Sequence, residues 1–291
     1  KNIHGESVVG VYCTQQRQLR ELSDRLQTEG ITCWEADIRP PERFLMERFV
    51  TSSLQIPHDV ALRTKNNVAY AHTQKVKPVT YQPQLKAVSI DIETSMNAQR
   101  LYSIAAYRES ISVVFMISHH VLPSMLDDQV TLVACKDDRD CLQRFLAWID
   151  HVDPDVLLGW HVVQFDCWVL EKLCERWRVP FTLGREKQLP HWRMDAKNVD
   201  GLTANENTNS ILDRNRRYIQ VPGRVVLDGI ELLRTAFYHF DSFSLQSVAN
   251  ALLGESKLLD NDDRGQAITD MFLSNDVNDV IALAKYNLQD C

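Results

Sequence analysis

The sequence predicts an α/β protein, a mixed β-sheet flanked by helices, preceded by a smaller α+β domain. Three observations predict it. Residues 86–94, KAVSIDIET, alternate so that Val88, Ile90 and Ile92 share one strand face while Ala87, Ser89, Asp91 and Glu93 share the other. Two more β-type runs, residues 101–107 and 111–117, and then a third, 130–135, follow in quick succession, which predicts hairpin pairing. Finally, VLLGW at residues 156–160 is apolar on both faces, as in a strand covered by helices on both sides of a sheet.

Length and composition set the frame. The chain has 291 residues, 44% hydrophobic and 24% charged, which is ordinary for a globular protein and leaves room for two domains. Its apolar runs are far too short to span a bilayer, and its first residues lack a signal-peptide pattern, so the chain reads as cytoplasmic with no membrane partner. Seven cysteines (13, 33, 135, 141, 167, 174 and 291) are odd in number and never form C-x-x-C; reduced, mostly buried thiols are expected. A formal charge of −7 excludes a protein that holds nucleic acid by a broadly basic surface. It does not exclude a catalytic pocket for it.

The first domain reads as a β-α-β unit. Residues 8–12, VVGVY, form one expected strand, Leu19, Leu22 and Leu26 lie at helical spacing, Gly30 stops the helix, and residues 31–36, ITCWEA, form the second strand. Pro40 and Pro41 open a short helix with Phe44, Leu45 and Phe49 inward. Residues 54–60 and 67–80 read as short strands and loops, with His58 and His72 at the surface. Pro78 and Pro83 frame a boundary, giving expected domains of residues 1–84 and 85–291.

In the second domain, residues 138–149 read as a helix with Cys141, Leu142, Phe145 and Ile149 on one face, broken at Asp153-Pro154. After the apolar strand comes a turn and a helix over about 165–177, with Asp166 in its first turn. Residues 185–218, including the run NENTNS, read as a long irregular insertion. The strand RVVLD at 224–228 follows, then a helix over 230–240, then one capped by Ser242 or Ser244 with Leu245, Val248 and Leu252 inside and Gly254 at its end. Asp228 reads as structural. The last helix runs from about 276 to the end of the chain, with Val280, Leu283, Ala284 and Leu288 apolar and Tyr286 and Asp290 one turn apart on one face.

Three of these stretches carry chemistry-bearing side chains. Asp91 and Glu93 are neighbours on one strand face, with no Lys or Arg following until Arg100, so they repel unless water, a base or a cation lies between them. A divalent metal answers this, and an exposed strand end is the alternative. Asp166 gains from the helix dipole and could be a simple cap. Tyr286 and Asp290 could simply hydrogen-bond.

Taken together, D-I-E in a strand, F-D opening a helix and Y-x-x-x-D in a later helix resemble the exonuclease motifs of the DEDDy 3'-5' exonucleases in family B DNA polymerases. The stretches WEADIRPPERFLMERF, DPDVLLGW-x-VVQFD and YNLQDC resemble bacterial members of that family, and the resemblance covers nearly the whole chain. It implies a ribonuclease H-like proofreading exonuclease domain behind an amino-terminal domain, in an enzyme of DNA replication and repair. It implies two divalent ions, Mg²⁺ or Mn²⁺, with Asp91 bridging both, Glu93 and Asp290 holding the nucleophile's ion, and Asp166 anchoring the second. Tyr286 would orient the attacking water, since a phenol is a poor base at neutral pH. The variant that uses a histidine would carry it where this chain has Lys285. Thr94, His161 and Phe165 are the implied contacts to a single-stranded DNA 3' end, Phe165 by stacking on bases. His161 departs from the asparagine usual there.

The resemblance further implies as partners the remainder of a polymerase chain and replication accessory proteins. Palm, fingers and thumb would follow Asp290, and the first domain lacks its front, so no polymerase activity is expected of these residues. A stand-alone exoribonuclease and a binding module with a silent exonuclease are the alternatives.

Overall fold

The computed structural model describes residues 1–291 other than 3, 61, 66–67, 110, 195–216 and 255–263. The chain divides into two compact units, Lys1–Gln84 and Leu85–Cys291. In the first, helix α1 (Gln16–Thr28) and helix α2 (Pro40–Met46, with proline in its first turn) accompany two small antiparallel pairs. These pair β1 (Leu54–Gln55) with β4 (Lys77–Pro78) and β2 (Leu62–Lys65) with β3 (Val68–Ala71). The strands expected at 8–12 and 31–36 are absent, so there is no β-α-β unit. An isolated strand has no ladder to close; among the described residues nothing pairs with either stretch, and Val9 and Tyr12 are about nine-tenths exposed.

The second unit is built on a six-stranded sheet. Its strands are β5 (Ala87–Thr94), β6 (Leu101–Tyr107), β7 (Ser112–Ile117), β8 (Val130–Cys135), β9 (Val156–Gly159) and β12 (Val225–Asp228), in the order β12-β9-β5-β6-β7-β8. Only β6 runs against the rest: it is antiparallel to both β5 and β7, while β8 is parallel to β7 and β9 is parallel to both β5 and β12. The hairpin expected between the second and third runs after β5 is therefore corrected to a parallel pair, because residues 118–129 carry the chain back before β8 begins.

Helices cover both faces, as the two-sided apolar strands require. On one side α3 (Asp138–Val152) and α4 (Asp166–Trp177) bury Leu142, Phe145, Ile149, Leu170 and Leu173 against Val88, Ile90, Ile92 and Ile104. Each such side chain contributes about 1.5–3 kcal/mol by leaving water. On the other, α7 (Arg264–Leu273) and α8 (Val277–Gln289) place Ile268, Val280, Leu283 and Ala284 over Tyr102, Ala105, Val114 and Met116. Helix α7 had no counterpart in the sequence reading.

Local devices set the ends. Asp137 caps α3 by accepting from Asp140 N, and the following Asp138 carboxylate accepts from Leu101 N at 2.8 Å, fixing the start of β6. The polar stretch after α4 is not wholly irregular. A 3₁₀ turn (Arg185–Lys187) leads to an antiparallel ribbon of β10 (His191–Met194) and β11 (Arg217–Gln220), while NENTNS falls outside the described residues. Helix α5 (Gly229–Thr235) is shorter than expected, since Phe237 adopts a left-handed backbone (φ 62°) that no helix can continue. Ser244 caps α6 (Leu245–Leu253) and Gly254 ends it as expected, with Val248 buried but Leu252 exposed. All seven cysteines are free thiols, and 135, 141, 167 and 174 are buried. Among the described residues no helix is long and apolar enough to cross a membrane.

Candidate metal centre

The parallel strands β5, β9 and β12 end at one edge of the sheet, and the acids collect there. In β5 the pleat sends Val88, Ile90 and Ile92 toward α3 and α4. Asp91 and Glu93 consequently face α8. Helix α8, capped at its start by Asp276, brings Asp290 to the same place. Carboxylate oxygens of Asp91, Glu93 and Asp290 lie within 4.8 Å of one another, and among the described residues no other group of metal-ligating side chains comes this close.

Such a cluster is costly. Two unit charges at this separation repel by about 3 kcal/mol at the effective dielectric of a protein surface. Glu93 is also buried, and Asp290 sits at the carboxyl end of its helix, where the dipole disfavours a negative charge. Oxygen-only donors converging against electrostatic preference fit a hard divalent cation such as Mg²⁺ or Mn²⁺.

Asp166 approaches from the other side. Gly159 ends β9, and a Cβ there would come within 2.7 Å of the Ile90 carbonyl oxygen, so only glycine lets β9 close on β5 at this point. Pairing of the two strands stops at Ser89 opposite Leu158. Farther along, the Ile92 N–H donates instead to Asp166 Oδ1 at 3.1 Å, the first residue of α4 substituting for the missing ladder. Asp166 is buried outside the group of three. Burial, and next the charge of Asp91, push its carboxyl well above the ordinary carboxylate range, although hydrogen bonds from its own N–H and that of Ile92 oppose the shift. A bound cation would reverse that balance.

The turn between β9 and α4 carries His161 and Phe165. Asp228 at the end of β12 organises it: one carboxylate oxygen caps α5 through Ile230 N and the other accepts from Val163 N at 3.2 Å. Its sequence reading as a structural acid is in keeping with this. Trp160 Nε1 donates to the Phe243 carbonyl. His161 has φ +62°, a region that asparagine and histidine enter more readily than most residues. Its ring reaches solvent, yet crowding by the protein disfavours the imidazolium and lowers its pKa below the usual 6.5, with Asp228 opposing and Arg234 adding to the shift. Phe165 is exposed beside Asp166. Thr94 closes β5 at a register shift against β6, with Oγ1 donating to the Ser95 carbonyl. Tyr286 is buried one turn before Asp290, whose N–H donates to the Tyr286 carbonyl at 3.3 Å.

Two polar residues escaped the sequence reading. Asn287, fully buried, donates from Nδ2 to Asp91 Oδ2 at 2.7 Å and accepts at Oδ1 from Ser103 Oγ at 2.8 Å. The signal was present: residues 280, 283, 284 and 287 follow the spacing of one buried helical stripe, and the last of them is polar.

Comparison of the sequence with known proteins finds relatives of this chain. A family model described as "DNA polymerase family B, exonuclease domain" matches residues 31–248. The chain is 40% identical to DNA polymerase II of Escherichia coli over its whole length, which is 34% of that relative. It is 24% identical to a DNA polymerase of Archaeoglobus fulgidus over 62% of the chain and 22% of the relative. It is also 28% identical to the DNA polymerase delta catalytic subunit of Candida albicans over 46% of the chain and 12% of the relative. The chain thus spans at most about a third of the length of these proteins.

Proposed function

Because this chain belongs to the family of exonuclease domains of family B DNA polymerases, we propose that it is the two-metal 3'-5' proofreading exonuclease portion of a cytoplasmic, DNA polymerase II-like replication and repair enzyme. The observation that carries this reading is the convergence of Asp91, Glu93 and Asp290 from a strand and a distant helix, with Asp166 alongside. The exonuclease domain of this family is metal-dependent, and four carboxylates would balance two divalent ions.

Bound there, the ions would ionise a water and stabilise the leaving 3' oxygen of a phosphodiester. The protein's own groups do the rest. Asp91 shares the cluster with Glu93 and Asp290 and its charge acts on Asp166, so it would be the ligand common to both ions, with Glu93 and Asp290 holding one and Asp166 the other. Tyr286 orients the water and is not the base. The exposed Phe165 ring stacks on a terminal base irrespective of sequence, while His161 and Thr94 supply polar contacts to the single strand. Lys1–Gln84 belongs to the amino-terminal domain, and the remainder of a polymerase chain and replication accessory proteins are the partners of the whole enzyme.

The test is a nuclease assay. Metal-free protein is given a single-stranded DNA labelled at its 5' end and a matched RNA, each with and without Mg²⁺ or Mn²⁺. Stepwise shortening of the DNA from its 3' end only with the ion is expected. Failure to shorten DNA with either ion refutes the reading, and preference for RNA reassigns the substrate.

A further inference from the structure

Ser103, Asn287 and Asp91 form a hydrogen-bonded chain across β6, α8 and β5, with distances of 2.8 and 2.7 Å and both neutral members fully buried. Charge fixes its direction. An ionised carboxylate can only accept, so the Asn287 amide nitrogen must face Asp91; its oxygen then faces Ser103, whose hydroxyl donates. The acceptor-only Asp91 carboxylate thus sets which way the amide faces, and the Ser103 hydroxyl satisfies its oxygen. Ser103 also stands opposite Glu93 in the β5–β6 register, so the chain is anchored beside the second carboxylate of the cluster.

From this we infer that Asn287 is a positioning residue for metal binding, held by Ser103, that presents Asp91 to the ions in one orientation. The inference rests on the two-metal reading above. A stripe carrying Val280, Leu283 and Ala284 would pack better with an apolar side chain at this position, since a buried amide is tolerated only when its polar atoms are satisfied. A lysine or arginine there would neutralise Asp91 and compete with a cation. A neutral amide does neither: it orients the carboxylate through one oxygen and leaves its charge in place. It also joins Asp91 to the helical turn that carries Asp290, so two carboxylates distant in sequence are set relative to each other before an ion arrives.

The experiment measures Mn²⁺ binding calorimetrically, without DNA, to the full chain and to its Asn287→Ala and Ser103→Ala variants, with melting curves of the metal-free proteins alongside. Loss of an outer-shell partner typically weakens metal binding or activity about 10–100-fold. Asn287→Ala is expected to raise the Mn²⁺ dissociation constant by this factor, and Ser103→Ala by a smaller factor in the same direction. With single-stranded DNA, kcat at fixed Mn²⁺ should fall while KM for the 3' end holds. Parent-like Mn²⁺ affinity in folded variants, with only the melting temperature lowered, overturns the inference and leaves Asn287 a packing residue. If Asn287→Ala does not fold, unchanged affinity in Ser103→Ala overturns it equally. A parent that binds no Mn²⁺ removes the two-metal reading, and this inference with it.

Discussion

Asp91 accepts from Asn287 and belongs to the crowded acidic group. Removing its charge should act oppositely on catalysis and on metal-free stability. Asp91→Asn keeps an oxygen for the Asn287 amide but deletes the anion that the proposed two-metal site would share between its ions, so hydrolysis should fall by orders of magnitude. The metal-free variant should melt no lower than the parent, because repulsion is relieved and the hydrogen bond survives. Tyr286→Phe deletes no carboxylate and should leave a measurable rate; equal losses in the two variants would contradict the assigned roles. His161 offers a pH test. Burial lowers its pKa, with Asp228 opposing and Arg234 reinforcing the shift. The unfolded chain therefore binds this proton more readily than the folded one, and the associated stability is complete above about pH 6.5 and declines as pH falls. The same protonation adds a positive charge beside an anionic strand, so fluorescence anisotropy should show single-stranded DNA binding more tightly as pH drops below about 6.5. In His161→Asn that branch should be flat, and superimposable profiles would remove His161 from the DNA path.

The ribbon of β10 and β11 is tied to the turn before α4 by a side-chain amide. Gln164 donates to the Arg217 carbonyl at 2.7 Å and accepts from Arg217 N at 3.1 Å, while the Arg217 guanidinium lies 4.2 Å above the Trp168 ring. Gln164→Ala leaves one backbone donor and one acceptor without these bonds, a loss of about 1–2 kcal/mol. Hydrogen exchange should show faster amides at 191–194 and 217–220 with β5 unchanged; uniform acceleration would mean that the clamp serves the whole domain. This tie also explains why the ribbon was not legible. Its strands are only four residues long, and side chains elsewhere in sequence hold them. By contrast β5, α3 and α4 were legible because their periodicities are long and each buries a continuous face. Pairing direction was not: whether 130–135 runs with or against β7 is decided by the path of residues 118–129, which carry no periodic signal. At the site the acids could be read from local spacing, whereas Ser103 and Asn287 acquire meaning only when β6 and α8 meet.

The two units of the molecule differ in how much apolar surface each removes from water. Among the residues of Lys1–Gln84 other than 3 and 61–71, Val50 is the one buried apolar side chain, whereas Leu85–Cys291 carries two apolar clusters, one on each face of its sheet. Burial supplies most of the stability of a domain, at about 1.5–3 kcal/mol for each large side chain. The first unit should accordingly unfold at a lower temperature than the second, and heating should give two calorimetric transitions instead of one. The acidic cluster belongs wholly to the second unit. An ion that binds only the folded cluster stabilises it by linkage, by about 2.7 kcal/mol at one hundred times its dissociation constant. Scanning calorimetry with and without Mg²⁺ should therefore show the upper transition moving to higher temperature while the lower one stays in place. A single transition that moves as one would mean that the first unit draws its stability from the second. A lower transition that moves alone would put the ion in the wrong unit and break the link between β5, α8 and the metal.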